Sequence, residues 1–322
     1  MSEPKRISVT LLAGGVGGAK MAEGFAHLPN VDLTIICNVA DDEEFHGLWV
    51  SPDVDTMIYT LSGRIDRNQG WGVADEGQRA LSVLKELGQD TWMTLGDKDL
   101  GLHIFRTMRL RQGASRQRIT DEICRAFSVP AKLLLASEEV VQTRVRTPMG
   151  WQSFQEYFVR ERCEPDVLEL RYEGQSEAAP NPKPIEAIRN ADVVVIAPSN
   201  PLMSIQPILG LLGIADALRS TQAPRIAVSP LVGGKAIKGP ADKMLKSLGF
   251  EPSTASIANN YAGLIDTLVI DSVDKVELSG TYPDGLRVVA EQTVMKTRED
   301  KVALAGNLLQ RAMTDRVAEA LV

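Results

Sequence analysis

The stretch Ile7–Ser8–Val9–Thr10–Leu11–Leu12–Ala13, running straight into Gly14–Gly15–Val16–Gly17–Gly18–Ala19–Lys20, decides the fold. An apolar, β-branched run that breaks into glycines and then a helix-compatible segment reads as buried strand, turn and helix. That geometry aims bare backbone N–H groups and a helix N-terminus at an anion, most often a phosphate. Glycines suit it because a Cβ obstructs both the tight turn and the close approach of a ligand. The spacing fits neither standard template. A P-loop has four residues between its first glycine and its Gly–Lys pair, with Ser or Thr next. Here three residues separate Gly14 from Gly18, Ala19 precedes Lys20, and Met21 follows. The dinucleotide fingerprint would need glycine where Lys20 stands. The reading is a phosphate or nucleotide site of its own pattern, with a purely structural turn as the alternative.

Working outward, short apolar runs recur at Leu33–Cys37, Ala131–Leu135, Val193–Ala197, Ile226–Val228 and Thr267–Ile270. Several lack polar alternation, the pattern of strands buried on both faces of a parallel sheet. Helix-like stretches lie between them at Ala19–Ala26, Gln78–Leu87, Thr120–Phe127, Pro184–Asn190, Ile208–Leu218 and Ala241–Leu248, with a last one over Arg298–Leu321. The alternation predicts an α/β fold: a doubly wound, mostly parallel, Rossmann-like sheet with ligands beyond the strand C-termini. The middle third differs, with many arginines and a predicted hairpin pairing Val140–Arg146 with Ser153–Val159. It reads as an inserted smaller subdomain over 63–184, so that one unit over 1–322 has its core in 6–62 and 185–322.

The 322 residues suffice for a large core, and 44% apolar with 24% charged residues is ordinary for a globular protein. A net charge of −7 argues against a general binder of nucleic acid or anionic membrane. Cys37, Cys124 and Cys163 are few and far apart, so neither a disulfide framework nor a zinc site is expected. No run approaches the length of a membrane span and no signal-like segment opens the chain, so a cytoplasmic protein is expected.

Acids gather after the second strand: Asp41–Asp42–Glu43–Glu44, then Asp53 and Asp55. Carboxylates repel a phosphate unless a hard cation such as Mg²⁺ lies between them. Asp41 and Asp55 are the pair expected to face inward, with Asp42 and Asp53 as caps or solvent-exposed groups; a helix cap is the plain alternative for Asp53 or Asp55. His46, before Gly47, reads either as a substrate contact or as a packed histidine. His103 and Arg106 share a helical face after Leu95–Gly96–Asp97–Lys98–Asp99–Leu100, a face for an acidic group or for ion pairs. Pro198–Ser199–Asn200–Pro201 with Ser204 supplies short hydrogen-bonding groups at a helix start, more than one N-cap needs. Gly233–Gly234–Lys235 and Lys238–Gly239–Pro240–Ala241 repeat the strand-to-turn pattern, giving three phosphate-competent turns on one sheet edge.

Taken together these segments resemble the 2-phospho-L-lactate transferase family of coenzyme F(420) biosynthesis. The resemblance runs through the first glycine loop, Asn38 with Asp41–Asp42 and His46–Gly47–Leu48, and Ser51–Pro52–Asp53–Val54–Asp55–Thr56 with Tyr59–Thr60–Leu61. It continues through Leu95–Leu100, His103, Arg106–Thr107 and Phe154–Gln155–Glu156–Tyr157, and closes with Pro198–Pro201, Ser204–Ile205 and Lys238–Ala241. It implies that a phospho-three-carbon acid (2-phospho-L-lactate, phosphoenolpyruvate or 3-phosphoglycerate) moves from its guanosine-diphosphate diester to the ribityl hydroxyl of the deazaflavin Fo, releasing GMP.

The resemblance also implies roles. Gly14, Gly15, Gly17, Gly18, Lys20, Ser199, Asn200, Ser204, Gly233 and Gly234 hold the GDP part of the donor. Asp41 and Asp55 are the catalytic pair and the Mg²⁺ ligands. Asp55, Thr94, Gly96 and Asp97 border Fo, with Thr94 standing where relatives often carry a larger or basic side chain. A homodimer is implied as well. Two other readings compete: a non-catalytic, nucleotide-sugar-binding regulator of the same fold, and a nicotinamide oxidoreductase, which Lys20 at the third glycine position disfavours.

Overall fold

The structure, a computed structural model, describes residues 6–319. Seven strands form one sheet, numbered here in chain order: β1 (Ile7–Ala13), β2 (Val31–Cys37), β3 (Lys132–Leu135), β4 (Val193–Ile196), β5 (Arg225–Val228), β6 (Thr267–Asp271) and β7 (Arg287–Glu291). Their spatial order is β7-β6-β5-β4-β1-β2-β3, and every neighbouring pair is parallel. The chain therefore winds outward from β1 through β2 and β3, returns to β4 on the other side of β1, and winds away. Parallel neighbours need crossovers, and helices on both faces supply them. At the centre, Leu11 of β1 stands between Ile35 of β2 and Val195 of β4.

Alternation along β1 feeds two cores. Val9, Leu11 and Ala13 pack on the face carrying α1 (Gly15–Ala26), α2 (Pro52–Leu61) and α4 (Arg298–Glu319), while Leu12 packs on the opposite face with Ile196, Ile208 and Leu268. Thr10, also on that second face, satisfies its hydroxyl on the carbonyl of Ala187, 2.8 Å away.

Four expectations change. The span 63–184 is not wholly an insertion, because β3 pairs with β2 as the sheet's edge strand. The predicted hairpin exists but is shorter. Gln142–Thr147 pairs with Gly150–Ser153, and on its other side with Glu169–Glu173. Residues 154–160 are helical, ending in a π turn at Glu156–Arg160. The stretch Ile208–Leu218 is broken: one helix ends at Leu209, and Gly213 at φ +88 caps the start of the next, Ile214–Ser220. Finally β7 escaped the reading, being short, charged at both ends and only half-buried on the sheet edge. Among the described residues no single helix is long and apolar enough to cross a membrane.

Candidate active site

A cavity of ≈ 770 Å³ opens beyond the C-terminal ends of the strands, between β1 and β4, where the winding direction reverses. Doubly wound sheets place their ligands at this switch point. One wall is the glycine loop: Gly14, Gly15, Val16, Gly17 and Lys20. Its glycines have packing reasons of their own. A Cβ on Gly17 would stand 2.2 Å from the carbonyl oxygen of Pro198, and one on Gly14 would stand 2.3 Å from Asp53 Oδ2. A Cβ on Gly18 would stand 2.9 Å from Ala13 Cβ and 3.0 Å from Ser199 Oγ, and Gly18 does not line the cavity. Glycine here lets the β1 and β4 turns touch, and the cavity lies where they meet.

Ser199 fastens that meeting. Its hydroxyl donates to the Gly14 carbonyl at 2.7 Å and lies 3.3 Å from the Gly14 N–H. Asn200 caps a π turn at Pro201–Ile205, its Oδ1 accepting from Leu202 and Met203. Both residues and Ser204 line the cavity. Lys20 donates to the Met295 carbonyl at 2.8 Å. Burial, then the neighbouring charges of Lys238 and Lys301, pull its ammonium below the ordinary lysine value, with Glu23 opposing. A half-buried cation among cations favours an anionic ligand.

The Gly233–Gly234 turn, expected to hold phosphate, does not line the cavity, and the Gly233 N–H is already taken by the Asp274 carboxylate at 3.0 Å. Lys238, Gly239 and Pro240 line it instead, and Lys238 reaches the Gln69 carbonyl at 2.7 Å on the far side of the mouth.

The acids sort differently from expectation. Asp42 and Asp53 are buried, not solvent-exposed. Asp42 is an ion-pair partner of Arg116 and accepts from Ser51 at 2.8 Å, holding the chain that leads into α2. Asp53 faces the glycine loop and accepts from Asn38 at 2.9 Å; burial pushes its carboxyl up to about 6 against bonds from Asn38 and the Gly15 N–H. Asp41 is pushed well above the usual carboxylate range by burial and by the charges of Asp53 and Asp42, and its buried Oδ1 finds no donor among the described residues. Asp55, expected to share a metal with Asp41, is committed elsewhere. Both its oxygens accept from the buried Arg106, one at 3.1 Å.

Among the described residues Asp41 and Asp53 are crowded carboxylates without a cationic partner, the pair that could hold a divalent cation.

Thr94 lines the cavity, but Gly96 and Asp97 do not. Asp97 binds Arg79 and the Ala80 N–H, on the outside. His46 sits at φ +54 beside Gly47 at the tip of the small hairpin Glu43–Phe45 with Leu48–Val50, and does not line the cavity. His103 is fully buried and does. The sequence reading missed the wall of Trp71, Met93, Phe154 and Phe158, in which the two phenylalanine rings stack at 5.4 Å. It also missed Asp99, although Asp99, His103 and Arg106 at i, i+4 and i+7 mark one helical face.

A family model described as 2-phospho-L-lactate transferase CofD matches residues 9–311. The chain belongs to that family. It is 38% identical over 320 residues to a 2-phospho-L-lactate transferase of Methanopyrus kandleri, covering 98% of this chain and 99% of the relative. With a 2-phospho-L-lactate transferase of Methanococcoides burtonii it shares 38% identity over 290 residues, covering 90% of this chain and 94% of the relative. With a phosphoenolpyruvate transferase of Streptomyces griseus it shares 36% over 311 residues, covering 94% and 98%. Among solved structures, a UPF0052-family protein of Bacillus halodurans superposes with a TM-score of 0.60 at 17% identity, over 94% of this chain and all of that one. At that identity the likeness concerns the fold. The family member described here thus carries a doubly wound sheet whose switch-point cavity has a cationic glycine-loop wall, a carboxylate cluster and an aromatic wall.

Proposed function

We propose that this family member transfers a phospho-three-carbon acid from its guanosine-diphosphate diester to the terminal ribityl hydroxyl of Fo, releasing GMP. The observation that carries the reading is the single cavity joining a phosphate-suited wall to an aromatic one, wide enough for two substrates to meet. The relatives' names, which cover both phospholactate and phosphoenolpyruvate transfer, support the same chemistry.

In this reading the loop Gly14–Gly17, Lys20, Ser204 and Lys238 hold the diphosphate by backbone N–H groups and positive charge. The planar deazaflavin lies against Phe154 and Phe158, as stacked rings favour. Asp41 and Asp53 would hold Mg²⁺, which when bound neutralises charge developing on the phosphate oxygens. Asp55, fixed by Arg106, accepts a hydrogen bond from the attacking hydroxyl and orients it. The hydroxyl oxygen bonds to the phosphorus beside the acid, the bond from that phosphorus to the GMP oxygen breaks so that GMP leaves, and the hydroxyl proton passes to solvent. Such a displacement needs alignment more than covalent help.

Incubation with the three guanylylated acids in competition and Fo, read by mass spectrometry, tests this. One or more phosphodiesters of Fo with stoichiometric GMP are expected, with activity lost in EDTA and restored by Mg²⁺. Nucleotide binding without GMP release from any donor supports the non-catalytic regulator instead.

A further inference from the structure

Asp99 lies on α3 (Asp97–Arg111) and faces the same cavity as Asp55 on α2. Between these two carboxylates His103 is fully buried. Arg106 Nη1 lies 3.2 Å from His103 Nδ1, whereas Asp55 Oδ2 is 3.8 Å from that nitrogen. A guanidinium only donates, so Nδ1 is the acceptor and the proton of a neutral imidazole sits on Nε2. That N–H is buried, 3.4 Å from Asp99 Oδ1, and too poorly aligned for a proper hydrogen bond. Tyr59 donates to the same Oδ1 at 2.6 Å. Both neighbours thus address Oδ1, which leaves Oδ2 of Asp99 for the cavity.

We propose that Asp99 and Asp55 together receive the hydroxyl chain of the acceptor, and that Arg106 acting through His103 positions the pair; this rests on the transferase reading of the cavity. Two carboxylates stand here with one guanidinium, bonded to Asp55 and reaching Asp99 through His103, so this end of the site takes a ligand that donates hydrogen bonds and repels phosphate. A polyol chain supplies such donors without charge. The cations and glycine loop at the other end do the reverse, so the two substrates sort themselves by end. Engagement of Asp99 by a hydroxyl draws its loose contact with His103 into line, as such contacts tighten in complexes.

The test is equilibrium titration of Fo, followed by the deazaflavin's own fluorescence, beside an N-alkyl deazaflavin lacking the side-chain hydroxyls. The wild-type protein is expected to bind Fo about tenfold or more tighter than the alkyl analogue. Asp99→Asn should erase that preference while binding the analogue as before. His103→Gln, whose amide accepts from Arg106 and donates toward Asp99, should retain the preference, and His103→Leu should lose it. A wild-type protein with no preference, or Asp99→Asn or His103→Leu variants that keep it, would overturn the assignment. GMP release separates the two readings. Hydroxyl-dependent Fo binding without turnover refutes the transfer and leaves the carboxylate pair, whereas turnover with an unaltered Asp99→Asn preference does the opposite.

Discussion

Asp53 shows how one residue can be placed against its own comfort. Its carboxyl, at about 6 in the fold and 3.8 in the reference state, is ionised at neutral pH despite burial beside Asp41. The folded state therefore holds this proton more tightly than the unfolded chain does. The resulting penalty is absent below about pH 4, grows as pH rises, and is complete above about pH 6. Asp53→Asn keeps an acceptor for Asn38 and removes the charge. We expect it to stabilise the metal-free protein by about 1–3 kcal/mol at pH 8. The gain should vanish near pH 4 and activity should be lost; denaturant melts at the two pH values measure it. Added Mg²⁺ should raise the melting temperature of the wild type and not that of the variant. The sequence reading placed Asp53 and Asp55 in the site's neighbourhood but not on their faces. Residues two apart on a helix point nearly opposite ways. The reading paired Asp55 with Asp41, but Asp55 is taken by Arg106, reached from another helix 51 residues along the chain.

Among the elements, α1 ties the glycine loop to the rest of the molecule through Glu23. This carboxylate is 2% exposed and bonds both Lys301 of α4 and Arg67 of the segment crossing the cavity mouth. Burial works against its charge, yet hydrogen bonds from Arg67 and Lys301 hold its pKa below the usual glutamate value. Its contribution is present above the unfolded value near 4.5 and is lost as pH falls through the lower folded value. Glu23→Ala leaves Lys301, 6% exposed, without its carboxylate and should cost about 3–5 kcal/mol at pH 7. Urea denaturation checks this, and a loss below 1 kcal/mol would mean that α1 is held by its apolar face alone. The strongly apolar central strands and long helices were legible from periodicity, because burial on both faces leaves an unbroken apolar run. The half-buried β7 was not, being short and charged at both ends, and neither were the turns of Phe154–Arg160, where Phe154, Gln155, Phe158 and Val159 face the cavity and not a regular core. The two π turns, Glu156–Arg160 and Pro201–Ile205, both belong to segments that line the cavity, where such irregularity is often found.

For the whole molecule, the strand order decides where substrate goes. The only reversal in the seven-strand sheet lies between β1 and β4, and the turns that leave those strands supply the wall against which a diphosphate would lie. The sequence pattern predicted the sheet and this edge, but treated three glycine turns there as equivalent. They are not, because Asp274 already occupies the amide of Gly233. A net charge of −7 is likewise compatible with an anionic ligand, since Lys20 and Lys238 gather at the glycine-loop end of the cavity. These facts give a spatial prediction for hydrogen exchange in GDP with Mg²⁺. Amides of Gly15–Lys20 and of the Pro201–Ile205 turn should slow about tenfold or more at saturating nucleotide, because ligand binding suppresses local opening there. The amide of Gly233, bonded to Asp274 in the free protein, should change little, as should those of the outlying strands Gln142–Thr147 and Glu169–Glu173. Protection centred on Gly233–Gly234, with the first glycine loop unchanged, would move the diphosphate to the other turn. The β1–β4 crevice would then be left to the acceptor.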